Sequence, residues 1–220
     1  MTPRDRWVAS GVAAAFAVLA FLPAVGNAYW LTLGISVAMY GVLATSWALF
    51  SGPTHYISLA TAAFYGVGAY TVGAGIGALP YPLLLVIAAA LGAVLALLVG
   101  MATLRLSGVY FVLFTCGLGE FVRQLVTWVQ NNFTGSRGMY VLTDIQEQHI
   151  YWQLLALGAV VALAGWLINR SRLGFALRII GNDELVAAHC GIHSARAKVA
   201  LFVVSGTVAS VVGAIMAPRL

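Results

Sequence analysis

Charged side chains are scarce in this sequence of 220 residues, since Asp, Glu, Lys and Arg make up 8% of it while 62% is hydrophobic. No formal charge occurs from residue 7 to residue 104. A water-soluble domain usually has about 25% charged residues on its surface and in its loops. The shortage of charge therefore excludes a soluble fold and predicts an integral membrane protein.

The sequence also lacks the patterns of an enzyme, a metal site or a nucleotide-binding site. Its two cysteines, Cys116 and Cys190, form neither a disulfide framework nor a metal-ligand spacing. The four histidines include no H-E-x-x-H pattern, and neither a nucleophile elbow nor a Walker sequence occurs. We therefore predict a protein that is not an enzyme and that has no metal site and no cofactor.

Long apolar runs are present instead, separated by turn residues or charges. A helix needs about 20 apolar residues to cross the hydrocarbon core of a bilayer, and the alternation typical of membrane strands is missing. Backbone polar groups must be paired within lipid, so each run is predicted to be helical. We expect an all-α polytopic bundle that forms one transmembrane domain over residues 1–220. The predicted spans are 7–25, 29–50, 57–79, 82–103, 109–129, 151–168 and 199–217.

Lysine and arginine are unevenly distributed between the two sides of this predicted seven-span bundle. Cytoplasmic loops of membrane proteins are enriched in both residues. With the N-terminus inside, the outer side has Arg137 and Arg219. The cytoplasmic side then has Arg4, Arg6, Arg105, Arg170, Arg172, Arg178, Arg196 and Lys198. We predict a cytoplasmic N-terminus, and we interpret the net charge of +5 as a topology signal rather than as nucleic-acid binding.

Two polar segments are longer than simple turns: an outer loop at 130–150 and a cytoplasmic loop at 169–198. The chain ends at Leu220, directly after an apolar run and without a polar tail. From this ending we expect a truncated bundle. The inner loop is the more organised of the two polar segments, because it contains the signals that start and stop a helix.

Those signals lie at residues 182–191. Asn182 can cap a helix, Asp183 and Glu184 favour the positive end of its dipole, and Gly191 can end it in a left-handed conformation. A helix of this length is marginal alone in water, so its own bundle or a partner must hold it. Two interpretations stay open here: a simple connector, or a helix that docks into a groove on a cytoplasmic subunit.

Glu120 and Arg123 are the only formal charges inside a predicted span. They are three residues apart, so on a helix they share a face and can pair. Charges at membrane depth are costly and mark either a pathway or a buried pair. The sequence leaves open a structural ion pair, a role in gating or subunit contact, and direct contact with a solute.

A glycine-rich stretch at 66–77 follows Ser58 and Thr61. It lacks the Lys-Ser/Thr pair of a phosphate loop. Close helix packing is one interpretation, and a broken helix whose freed amides near Ser58 bind a carboxylate is the other. The candidates for a substrate pathway are Ser58, Thr61, Phe64, Gly66, Glu120 and Arg123.

Three motifs point to one family. Residues 171–192 read SRLGFALRIIGNDELVAAHCGI, residues 57–71 read ISLATAAFYGVGAYT, and residues 110–125 read YFVLFTCGLGEFVRQL. They resemble, in the same order and spacing, S-R-x-G-R-A-L-R-A-I-R-x-D-E-x-A-A-x-x-x-G-I, L-S-L-G-H-A-A-F-F-G-I-G-A-Y and Y-F-A-I-x-T-L-A-x-G-E-I-x-R of the branched-chain amino acid permeases of ABC importers. The sequence departs from that family at four positions, which hold His55, Tyr56, Ala60 and Thr61.

The resemblance implies a permease subunit in the inner membrane that takes up branched-chain amino acids or a related small polar solute, such as an amide or urea. It also implies cytoplasmic ATPase subunits that grip the 182–191 helix, a second permease subunit and a periplasmic solute-binding protein. The family is longer, so this chain is expected to be short at its C-terminus. The implied ATPase-coupling residues are Asn182, Asp183, Glu184, Ala187, Ala188, Gly191 and Arg178. Two alternatives remain: an ion-coupled secondary transporter and a structural membrane subunit that transports nothing.

Overall fold

Helices account for nearly all of the chain that the computed structural model describes, which is residue 19 and residues 27–103, 109–134, 145–182 and 184–219. A π-helical turn at Gln130–Thr134 and a 3-10 turn at Ala217–Arg219 add to the α-helices, and these ranges contain no strand. The all-α prediction is confirmed. The α-helices are α1 (Ala28–Thr54), α2 (Thr61–Gly75), α3 (Tyr81–Thr103), α4 (Val109–Val129), α5 (Glu147–Arg170), α6 (Arg172–Asn182), α7 (Glu184–His189) and α8 (Ser194–Met216).

Five of these helices are long and apolar enough to cross a membrane: α1, α3, α4, α5 and α8. The predicted span 7–25 lies outside the described residues, apart from Leu19. The predicted span 57–79 is wrong as a continuous helix, because α2 has 15 residues and a length of about 22 Å. It begins only at Thr61, since side chains bond the backbone of the preceding segment and offer it an alternative to the helix.

Helix α8 lies at the centre of the bundle and packs against α1, α2, α3 and α5. Small residues bring the backbones together: a Cβ at Gly68 of α2 would collide with the carbonyl oxygen of Ser210, and one at Gly213 with that of Tyr65. The Ser210 hydroxyl donates to the Ala88 carbonyl of α3 at 2.8 Å. Close approach through small residues is how membrane helices associate, because lipid gives them no hydrophobic driving force.

Both long polar segments contain more helix than the sequence indicated. The outer loop predicted at 130–150 starts with the π-helical turn and ends early, because α5 begins at Glu147. The inner loop predicted at 169–198 is mostly helical. Lys198 was predicted as a loop charge, but it lies in α8 and is only 1% exposed. Its long aliphatic stem fits the apolar core, and its Nζ lies 4.1 Å from the centroid of the Tyr56 ring.

Candidate functional site

The turn that joins α5 to α6 starts the predicted coupling region, and Ser171 organises it. Its hydroxyl donates to the Ile168 carbonyl at 2.8 Å and accepts the Gly174 N–H at 3.3 Å, as an N-cap residue does. A Cβ at Gly174 would collide with the Ile168 carbonyl oxygen, so the chain can fold back this tightly only with glycine here. This turn places α6 against α5 and α1.

Helix α6 extends further than the sequence indicated. Asn182, which was predicted to cap the following helix, instead lies in the last described turn of α6. The reason is packing: Leu177 and Ile180 are buried in the main core and carry the helix to this point. Asp183 lies outside the described residues, and Glu184 is the first residue of α7.

The end of α7 agrees with the sequence. Gly191 has a φ of 74°, the left-handed conformation that was predicted. The Ile192 N–H donates to the Ala187 carbonyl at 3.0 Å, which is the long bond of a Schellman motif. Ala187 itself is buried in the core, and Ala188 is the residue before the last of the helix. The glycine therefore fixes where α7 ends and where the chain turns towards α8.

Helices α6 and α7 expose both charged and apolar side chains. Arg178 is exposed and donates to the Asn169 side-chain oxygen at 3.4 Å. Three large apolar side chains in the same two helices are also exposed. They are Leu173, Phe175 and Val186. Leu173 lies about 200° from Phe175 around α6, so we call only Phe175 and Val186 the docking surface.

Helix α6 touches the end of α1 at one close contact. A Cβ at Gly181 would lie 2.5 Å from the carbonyl oxygen of Pro53 and 3.6 Å from Cε1 of His55. His55 ends α1 with a left-handed φ of 57°, and its N–H donates to the Ser51 carbonyl at 3.0 Å. A side chain at position 181 would push these two backbones apart. The contact therefore joins the predicted coupling region directly to the connection between α1 and α2.

That connection, residues 55–60, is held by polar side chains. The Trp47 indole N–H donates to the Ser58 carbonyl at 2.9 Å, and the Leu59 N–H donates to the Thr115 hydroxyl of α4 at 3.2 Å. Ser58 is buried, and its hydroxyl accepts the Ala60 N–H at 3.3 Å. Irregular backbone is tolerated at membrane depth where protein surrounds it and satisfies its polar groups.

The other pathway candidates within residues 57–71 differ in burial. Phe64 is buried, with its ring centroid 5.6 Å from that of Phe202 in an aromatic core that also contains Phe50 and Phe111. Thr61 and Gly66 are half-buried. A Cβ at Gly66 would meet no described atom within 4 Å.

Glu120 and Arg123 form a bidentate ion pair on α4. Arg123 donates from Nε to Oε2 at 3.0 Å and from a terminal nitrogen to Oε1 at 2.7 Å, and the Gln124 amide donates to Oε1 at 3.0 Å. The predicted pairing is confirmed. The two side chains are 56% and 72% exposed, Glu120 and Arg123 respectively. Among the described residues, therefore, nothing buries the pair.

The two sets of pathway candidates do not meet. Thr115, which holds the Ser58 segment, and Glu120 are five residues apart, or about 140° around α4. Thr115 is fully buried and Glu120 is exposed, so opposite faces of one helix serve the two sets. The roles of Thr115 and Gly181 and the buried position of Lys198 were not predicted. Thr115 stands out in the sequence as a single threonine in an apolar run. Nothing in the sequence indicated which segment it would contact.

The apolar helices of spanning length and the tightly packed seam of small residues define a polytopic helical membrane protein. The chain belongs to the family described as branched-chain amino acid transport system / permease component, which it matches over residues 29–220. It is therefore a permease component, the membrane subunit of an ABC transporter. Neither the curated proteins nor the solved structures provide a significant match.

Proposed function

We propose that the chain is the permease subunit of an ABC importer of the inner membrane, for branched-chain amino acids or a related small polar solute such as an amide or urea. The observation that carries this proposal is the docking surface of α6 and α7. Its apolar side chains lie outside the helices of spanning length, and exposed apolar patches commonly mark an interaction site. Cytoplasmic ATPase subunits are the proposed occupants, because Arg170, Arg172, Arg178 and Arg196 in this segment favour a cytoplasmic position for it.

Movement of the docking surface has a physical route into the bundle. Gly181 of α6 lies against Pro53 and His55, so a shift of α6 displaces the 55–60 segment. That segment donates a hydrogen bond from Leu59 to Thr115 of α4. ATP-driven closure of the ATPases would then tilt α4 and change the bundle between inward-open and outward-open states.

The exposed polar face of α4 is the proposed wall of the solute pathway. A second permease subunit would complete that pathway, and a periplasmic solute-binding protein would deliver the solute from outside. An ion-coupled transporter would instead need an acidic group free to take up a proton or cation at membrane depth. Glu120 has both carboxylate oxygens engaged by Arg123 and Gln124, which favours the ATP-driven proposal.

The test is uptake by the reconstituted complex of this chain with its ATPase subunits, second permease subunit and binding protein. We expect uptake of L-leucine into proteoliposomes to require both ATP and the binding protein. Val186→Asp should lower uptake and ATPase affinity by roughly 30-fold, the effect of losing about 2 kcal/mol at a central interface residue. Parallel assays with acetamide and urea assign the solute.

Ala195→Asp is the matched control, since it introduces the same charge at an exposed site on α8. It should leave uptake within about twofold of the unchanged chain, as surface substitutions usually do. Uptake driven by an ion gradient without ATP would contradict the proposal. So would a complex that takes up none of the three solutes while remaining intact.

A further inference from the structure

Helix α4 exposes two chemically different faces. Glu120, Arg123, Gln124 and Thr127 lie within about 100° of one another around the helix. On a neighbouring face lie large apolar side chains: Phe114, Phe121, Leu125 and Trp128. The apolar face suits lipid, and part of it lines an apolar groove shared with α2 and α3. The polar face needs a different environment.

The depth of the ion pair in the membrane indicates that the polar face of α4 does not face lipid. Glu120 is the twelfth of the 21 residues of α4, about 16 Å along the helix from its first residue. This position corresponds to the middle of a bilayer. Ionised groups there face a water-filled cavity or protein, because hydrocarbon does not solvate them. Gly117 and Gly119 adjoin the pair, and a Cβ at either would meet no described atom within 4 Å, so there is room for a ligand.

We infer that Glu120 and Arg123 form an exchange site for zwitterionic α-amino acids, an inference that rests on the proposed function. The carboxylate of the solute takes the place of Glu120 on the forked guanidinium of Arg123, which matches a carboxylate with two parallel N–H donors. The ammonium of the solute takes the place of Arg123 on the Glu120 carboxylate. The internal pair reforms when the solute leaves.

This exchange selects by charge pattern. A zwitterion opens one ion pair and makes two new ones, so no charge stays unpaired at membrane depth. An amine without a carboxylate leaves Arg123 unpaired, and a carboxylate without an amine leaves Glu120 unpaired. Urea and simple amides have no charge with which to open the pair. Because an unpaired charge at the bilayer centre is costly, we expect the site to prefer zwitterions by about 100-fold.

The test measures binding to the permease pair in lipid nanodiscs without the binding protein, so that the selectivity of the membrane site is observed directly. The probe is radiolabelled L-leucine. Leucinamide, 4-methylpentanoate and urea compete with it as a cation, an anion and a neutral solute. We expect L-leucine to displace the label at concentrations about 100-fold lower than any of the three.

Three variants test the residues. Glu120→Gln and Arg123→Gln should each abolish measurable leucine binding. The double exchange Glu120→Arg with Arg123→Glu keeps one charge of each sign, so it should regain binding to within about tenfold of the unchanged chain. Phe114→Ala, on the apolar face of the same helix, is the control and should bind normally. Thermal unfolding of every variant in the nanodisc separates loss of binding from loss of fold.

Equal competition by leucine and leucinamide would overturn the inference. Normal leucine binding by Glu120→Gln and Arg123→Gln would also overturn it. So would variants in which the two permease subunits dissociate while each folded chain still binds leucine. The last result would assign Glu120 and Arg123 to the subunit interface. All three results leave the proposed importer function standing, because that function fails separately, through loss of ATP-dependent uptake in the unchanged complex.

Discussion

Helices α8 and α4 both have the length and hydropathy of spanning helices, but they are packed very differently. In the apolar window of α8, 56% of the residues are buried inside the protein, whereas 17% are buried in that of α4. Helix α8 meets its neighbours through glycine and serine at backbone distance. Helix α4 packs chiefly on α2, and its buried residues are Phe111, Thr115, Leu118 and Val122.

This difference separates a tightly packed set of helices from a helix that is held by few contacts among the described residues. Tightly packed interiors resist small displacements, because every shift breaks many contacts at once. The seam of α2, α3 and α8 has that character. Helix α4 has fewer contacts to lose, and the hydrogen bond that Thr115 accepts from the Leu59 N–H ties it to the segment that α6 touches. The α4 helix is thus the element of the described bundle best placed to respond to the docking surface.

The largest effect is expected from breaking the seam. Gly68→Ala introduces a Cβ that collides with the Ser210 carbonyl oxygen, and a backbone atom in a packed helix cannot move aside as a flexible side chain can. We expect the free energy of unfolding to fall by about 3 kcal/mol, the upper end for overpacking. Equilibrium unfolding in mixed detergent micelles measures it.

Gly66→Ala is the matched control for this substitution. It lies two residues away in the same helix, where a Cβ would meet no described atom within 4 Å. Its stability should equal or slightly exceed that of the unchanged chain, because alanine favours a helix by up to about 1 kcal/mol over glycine. Equal destabilisation by both substitutions would mean that α2 and α8 are not packed at backbone distance.

A smaller loss of stability is expected when the hydrogen bond between α4 and the 55–60 segment is removed. Thr115→Val keeps the shape of the side chain but removes the acceptor of the Leu59 N–H, at a site with no exposed surface. An unsatisfied buried donor costs about 1–3 kcal/mol. We expect a loss of about 1–2 kcal/mol in stability together with a fall in ATP-driven uptake, since the proposed route from α6 to α4 is interrupted.

Thr127→Val is the control for the expected loss of stability. The Thr127 hydroxyl bonds only to its own helix, at the Arg123 carbonyl, among the described residues. Its replacement should change stability by less than about 0.5 kcal/mol, as at most surface sites. If Thr115→Val destabilised the chain but left uptake per folded molecule unchanged, α4 would not transmit the motion of α6.

The sequence was sufficient for the framework because spanning helices follow from composition. The predicted span 109–129 has the same bounds as α4, and the left-handed Gly191 follows from local backbone chemistry alone. The errors share one cause, which is tertiary contact. Asn182 joined α6 because its neighbours pack on the core, and residues 57–60 stayed outside α2 because Thr115, distant in the sequence, accepts the Leu59 N–H.

Only part of the candidate site was predictable from the sequence. The pairing of Glu120 with Arg123 follows from helical spacing, but which side of α4 the pair occupies depends on where Thr115 and Leu118 pack. A sequence of apolar residues around two charges does not distinguish a buried bridge from an exposed one. The contact of Gly181 with Pro53 joins two segments more than 100 residues apart, and no local pattern indicates it.

Thiol labelling perturbs the fold least and tests whether water reaches the two exposed faces of α4 equally. Cys116 is exposed on the side of Glu120, so in a Cys190→Ser chain it should react with a membrane-impermeant thiol reagent. Phe114→Cys, in a chain without the two native cysteines, introduces a thiol on the apolar face. Thiols react as thiolates, which form in water and not in hydrocarbon, so Cys116 should react about tenfold faster or more. Equal rates, measured by mass spectrometry on the assembled importer in proteoliposomes, would place both faces in one environment and remove the basis for a pathway along α4.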